Sequence, residues 1–161
     1  MIRTAVVTVS DSTAAGLRED KSGAVLAARV AELGWMVASR HLVPDETAQI
    51  SSLLSELVHG RTVDLIMTTG GTGLAQRDVT PEATRAIANR EIPGFGERMR
   101  AEGLKSTPMA PLSRSTAFTA GTALILNLPG SPRGAVESLD AVAGLIPHAV
   151  DLLHGRTEHK K

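Results

Sequence analysis

The chain has no cysteine and no tyrosine, and its only aromatic residues are Trp35, Phe95 and Phe118. Missing thiols exclude disulfides and thiolate metal sites, and with them the main sequence mark of an extracellular protein. So few rings exclude a base-stacking platform of aromatic side chains. Net charge is absent too, since 17 Lys plus Arg balance 17 Asp plus Glu. A sequence-independent nucleic-acid binder needs excess cations to displace counterions, so no nucleic-acid partner is expected. No apolar run is long enough to span a bilayer, and the apolar stretch before Asp11 is too short for a signal peptide. The expectation is a cytoplasmic protein with no membrane partner.

Of the 161 residues, 42% are hydrophobic and 21% charged, which suits one globular core. Residues 1–155 read as a single domain and 156–161 as a polar tail. Thr4 to Val9 and Val63 to Thr68 are short, nearly continuous apolar runs, the pattern of strands buried on both faces. Trp35 to Val43 reads as another strand. Ser22 to Leu33 reads as a helix closed by Gly34. Ile50, Leu53, Leu54, Leu57 and Val58 form one apolar helical face, with Asp45 near its start and Gly60 at its end. Thr80-Pro81 opens a helix predicted to reach about Asn89, and Pro93 opens a further short one. Ser115–Thr119 and Ala123–Leu128 read as a hairpin around Gly121. Pro132 begins a last helix that Pro147 should kink. Alternating strands and helices imply an α/β fold with a mostly parallel sheet, to which the late hairpin adds an antiparallel strand.

In such sheets ligands bind beyond the carboxyl ends of the strands. Those ends carry Ser10-Asp11-Ser12, Pro44-Asp45-Glu46, Thr68 to Gly73, and Asn127 to Pro132. Gly70-Gly71-Thr72-Gly73 is either a tight turn or a loop whose bare backbone admits an anion, and the threonines and the Arg77-Asp78 pair nearby favour the second. It is neither a P-loop nor a dinucleotide fingerprint, because the required Lys and third glycine are missing. Asp45 is either a helix cap or a site carboxylate. Asp78 is either a solvated loop charge or the partner of Asp45 in holding Mg²⁺ against phosphate. Asn127 to Pro132 is a strand exit and helix cap, or a phosphate contact at a helix start. Ser113-Arg114 is a surface pair, or a hydroxyl and guanidinium facing an anion. The five histidines lack metal-ligand spacing, and no nucleophile-elbow motif is present.

Five motifs then coincide in order: Leu42-Val-Pro-Asp-Glu46, the run Thr68 to Thr84, Ile92 to Arg100, Leu112-Ser-Arg114 and Ile125 to Pro132. Together they resemble molybdopterin-binding domains of the MogA/MoaB family across nearly the whole chain. The resemblance implies a three-layer α/β/α fold and a homotrimer. MogA-type members, like the similar domain of gephyrin, adenylylate molybdopterin with Mg-ATP. The family's two essential aspartates match Asp45 and Asp78, expected to be catalytic and to hold Mg²⁺. Pterin and nucleotide contacts are expected at Ser10, Asp11, Thr69, Gly70, Gly71, Thr72, Gly73, Ser113, Asn127, Pro129, Gly130 and Ser131. Asp20-Lys21-Ser22-Gly23 resembles a turn near the site. Hand-over of product to a molybdenum insertase is implied as well. The pterin phosphate would attack the α-phosphorus of ATP, and anion repulsion would be the main obstacle, with no histidine or serine nucleophile needed. MoaB-branch members share these motifs, so a catalytically silent molybdopterin carrier or scaffold is the alternative. The related domain of insertases and CinA-type proteins is a further rival, usually accompanied by extra domains that this sequence does not show.

Overall fold

Period-two alternation organises the molecule, because side chains of the central strands point in turn to two separate cores. Leu65 and Met67 join Val6, Leu124 and Leu126 in one core, while Ile66 joins Val7, Phe118 and Ile125 in the other. The structure, a computed structural model, describes residues 1–156. Beyond Arg156, the expected polar tail lies outside the described residues.

Six strands, β1 (Arg3–Val9), β2 (Met36–Val43), β3 (Leu65–Thr69), β4 (Arg90–Ile92), β5 (Thr116–Ala120) and β6 (Ala123–Leu128), form one sheet in the order β2-β1-β3-β6-β5-β4. The first four in that order are parallel, β5 runs antiparallel to β6, and β4 runs antiparallel to β5. Helices α2 (Lys21–Glu32), α5 (Pro93–Gly103), α6 (Pro132–Val142) and α7 (Ile146–Leu153) cover one face. Helices α3 (Thr47–Gly60) and α4 (Thr80–Arg85) cover the other, and α1 (Asp11–Ala14) is a single turn after β1. The result is the expected three-layer α/β/α architecture with a late antiparallel hairpin. Among the described residues, no helix is long and apolar enough to cross a membrane.

The central strands form because their residues are mostly β-branched or leucine and are buried on both sides, each large side chain contributing about 1.5–3 kcal/mol. Gly34 takes the left-handed cap with φ +76°. Several boundaries differ from expectation. Trp35 precedes β2, because its N–H turns back to Val30 O in the helix cap. At the end of α3 the left-handed residue is Arg61, φ 52°, rather than Gly60. Helix α4 stops at Arg85, since Asn89 is drawn onto the hairpin: its N–H donates to Thr119 O (2.7 Å) and its Oδ1 accepts from Gly121 N (2.8 Å). This docking starts β4, a strand that the sequence pattern does not predict. The Pro147 kink is a full break. A 3₁₀ turn over Ala143–Leu145 separates α6 from α7, and Pro147 occupies the first turn of the new helix, where its missing N–H costs nothing.

Candidate functional site

The chain runs from β1 outward to β2, then returns across β1 to β3. At such a reversal the connections leave in opposite directions and open a crevice at the strand ends. A cleft of about 790 Å³ lies there. Eight residues expected at the site line it: Ser10, Asp45, Thr69, Gly70, Gly71, Asp78, Gly130 and Ser131. A hollow beside it, sharing Gly71, Asp78 and Gly130, is lined by Thr72, Gly73, Ser113 and Pro129.

Backbone geometry shapes the floor. Gly70 has φ +108°, and a Cβ there would run into the Val9 carbonyl. Gly71 has φ +68°, and a Cβ would strike Thr80 Oγ1 and stand 3.3 Å from Asp45 Oδ1. No other residue tolerates both demands. Thr80 fixes this turn, donating from its hydroxyl to Gly70 O (2.9 Å), so it is not the helix cap expected of it; Val79 stands at that position. Thr69 likewise donates to Pro129 O (2.7 Å), tying the β3 exit to the β6 exit.

Asp45 is not the cap of α3 either. Its Oδ2 accepts from Asp11 N (2.9 Å), and its own N–H donates to Asp11 Oδ1 (3.0 Å). Glu46 occupies the cap position without a capping bond. Burial pushes the Asp45 carboxyl above the usual range, and the Asp11 and Asp78 charges add to this against the Asp11 N–H and the Arg77 charge. Asp78 Oδ2 accepts from Ala75 N (2.9 Å) and lies 2.8 Å from where a Cβ of Gly73 would be. Each aspartate therefore has one carboxylate oxygen pinned by a backbone N–H. Neither Oδ1 accepts a hydrogen bond from the described residues.

Other expected residues have different surroundings. Asp11 does not line the cleft; it pairs with Arg77, whose hydrogen bonds hold its carboxyl below the ordinary range. Asn127 is fully buried in the sheet, where its amide donates to Thr68 Oγ1 (3.0 Å) and Thr84 Oγ1 (3.1 Å). Ser131 caps α6, its Oγ accepting from Gly134 N (3.2 Å), and Ser113 donates to Ser115 Oγ (3.0 Å). Arg114 faces no open anion site. It donates to Gly73 O (2.8 Å) and Asp78 O (2.7 Å) and pairs with Glu82, bracing the glycine loop from outside. Asp20 caps α2, accepting from Gly23 N (2.9 Å) and Thr8 Oγ1 (2.8 Å).

Arg18 and Lys21 line the cleft as well and bring it positive charge beside the carboxylates of Glu19 and Asp20. Arg18 is in none of the motifs at the strand ends, and the resemblance gives Lys21 no role beyond a turn near the site. The signal was available: both lie in the first connection after β1, which the strand-end rule places over the crevice. Among the described residues, no three His, Asp or Glu side chains gather as a metal cage, so a cation here would draw further oxygens from a bound phosphate.

Fold and cleft together define a class: a three-layer α/β/α protein with bare-backbone turns, the half-free carboxylates of Asp45 and Asp78, and charged residues of both signs (Arg18, Glu19, Asp20 and Lys21) around one crevice. Comparison with known proteins narrows it. The profile described as "Probable molybdopterin binding domain" matches residues 5–148. The chain is 41% identical to the molybdopterin adenylyltransferase of Helicobacter pylori strain J99, over 96% of this chain and 89% of that protein. It is 38% identical to the molybdopterin adenylyltransferase of Escherichia coli K12, over 96% and 86%. The crystal structure of the molybdopterin biosynthesis enzyme MoaB from Thermus thermophilus superposes with a TM-score of 0.90 at 49% identity, covering 96% of this chain and 98% of that one. This chain belongs to the molybdopterin-binding domain family of MogA and MoaB.

Proposed function

We propose that this protein transfers the adenylyl group of ATP to the phosphate of molybdopterin, a step of molybdenum cofactor biosynthesis. An oxygen of the molybdopterin phosphate bonds to the α-phosphorus of ATP, the bond from that phosphorus to the β-phosphate oxygen breaks, and pyrophosphate leaves. The observation that carries this reading is the pair Asp45 and Asp78, each with an unbonded Oδ1, on the same cleft as the Gly70-Gly71 turn. Relatives named for this activity match over nearly the full chain.

Both reactants are anions, so the site must bring them together against repulsion. Gly70 and Gly71 let phosphate approach the main chain, and Arg18 and Lys21 offset its charge. A phosphate oxygen is already a nucleophile at neutral pH, so the chain supplies alignment rather than a base. Mg²⁺ fits the donor set, because Asp45 and Asp78 crowd negative charge at a half-buried place and leave oxygens free. These two aspartates would hold it, and when bound it offsets charge on the phosphate oxygens. The remaining features of the reading are one domain over residues 1–155, a homotrimer, work in the cytoplasm where ATP is supplied, and hand-over of the adenylylated pterin to a molybdenum insertase.

A silent carrier is the second reading, the one that likeness to the MoaB branch raises, although the Thermus thermophilus MoaB is itself described as a molybdopterin biosynthesis enzyme. Incubating the purified protein with molybdopterin, Mg²⁺ and ATP separates the two. Pyrophosphate release with AMP attached to the pterin is the expected result, and pterin binding without release would establish the carrier.

A further inference from the structure

Asp11 and Asp45 lie 34 positions apart in sequence, yet each carboxylate accepts the other's backbone N–H. This reciprocal bracket welds the exit of β1 to the exit of β2. It also brings two negative charges together, which opposes it. One side chain meets that charge. Arg77 Nε donates to Asp11 Oδ2 (2.6 Å), and its Nη2 donates to Asp11 Oδ1 (3.0 Å) and Glu46 Oε1 (2.9 Å). Arg77 is carried on the connection after β3, one residue before Asp78. Its guanidinium thus joins the exits of β1, β2 and β3, without lining the cleft.

We propose that Arg77 is a positioning residue for the adenylyl transfer, its forked grip on Asp11 and Glu46 fixing the direction in which Asp45 offers Oδ1 to the cleft. The inference rests on the adenylyltransferase reading above. Arg77 is 55% exposed, and exposed ion pairs add little to folding stability. Its effect therefore falls on geometry, where displacing a catalytic group by about 1 Å slows a reaction by up to about a hundredfold. A lysine keeps the charge but offers no planar fork, so it restores only part of the grip.

The test compares the wild type with Arg77→Met, Arg77→Lys, Asp11→Asn and the Arg77→Met/Asp11→Asn double variant. Arg77→Met is expected to lower kcat about tenfold to a hundredfold with KM for ATP and molybdopterin within about twofold, and Arg77→Lys to fall between. The double variant should lose no more than the worse single one, because both break one device. Amide hydrogen exchange at Asp11 and Asp45, followed without substrate, should accelerate in Arg77→Met while the strand amides keep their protection. Unchanged kcat and exchange would overturn the proposal, as would losses that multiply in the double variant or a rise in KM alone. A wild type that releases no pyrophosphate sinks the adenylyltransferase reading instead, and the exchange measurement still decides whether Arg77 holds the bracket. Should Arg77→Met fail to fold, the lysine variant carries the same comparison.

Discussion

Asp45 and Asp78 face one cleft but are held by different forces. On the Asp45 side the lock is made of charges: two carboxylates, a third from Glu46, and the guanidinium of Arg77, all near solvent. On the Asp78 side the lock is made of main chain. Asp78 Oδ2 takes Ala75 N, Asp78 N donates to Ala75 O (3.0 Å), and Arg114 reaches carbonyl oxygens at Gly73 and Asp78. A loop that folds around its own carboxylate needs little help from distant charges. A carboxylate at the end of the exposed edge strand β2 has no such loop, so its orientation must be imposed from two other strand exits.

Breaking each side in turn tests this contrast. The largest effect belongs to the aspartates themselves. Asp78→Asn and Asp45→Asn should each lower turnover by about a hundredfold or more while molybdopterin still binds, measured by pyrophosphate release beside calorimetric titration. Near-normal turnover in either variant would remove that aspartate from the chemistry. Next comes Arg114→Ala, which strips bonds from two carbonyls and should cost about 1.5–3 kcal/mol in denaturant unfolding. Arg77→Met should cost clearly less, and equal losses would abolish the distinction between the two locks.

The pH dependence of stability, measured on metal-free and nucleotide-free protein, is a smaller effect and differs in sign within the Asp45 side. Asp45 has a raised pKa, so its charge costs stability as pH climbs from the unfolded value of about 4 through the folded value. Asp45→Asn should then raise the melting temperature at neutral pH, with the gain gone below pH of about 4. Asp11 has a lowered pKa, so its contribution is present above the unfolded value and fades as pH falls through the folded one. Asp11→Asn should accordingly destabilise at neutral pH and have no effect in strong acid. The smallest effect is salt. Raising ionic strength should speed amide exchange at Asp11 and Asp45 before that at Ala75, because screening reaches exposed ion pairs first.

The parallel strands were legible because β1, β3 and β6 are continuous apolar runs, which only a strand covered on both faces needs. Strand β4 was not, since Arg90-Glu91-Ile92 carries no alternation and pairs only because Asn89 docks on the hairpin. The cleft was legible as a list of strand ends. Which atoms in that list are already engaged was not. Asp11 and Asp45 meet through backbone N–H groups that no sequence pattern marks, and Asn127 sits in a strong motif while its side chain joins two threonines inside the sheet. Spacing reveals which residues leave a strand together, whereas the direction of each carboxylate depends on partners dozens of positions away.

Gly130 and Gly70 approach so closely that a Cβ on the first would stand 3.2 Å from the Cα of the second. The exits of β3 and β6 are thereby shut against each other, and parting them would mean tearing neighbouring strands of the central sheet. The opposite bank, by contrast, carries the exposed Leu17 and Arg18 between α1 and α2, and among the described residues no such contact holds it. The cleft thus has a fixed back wall.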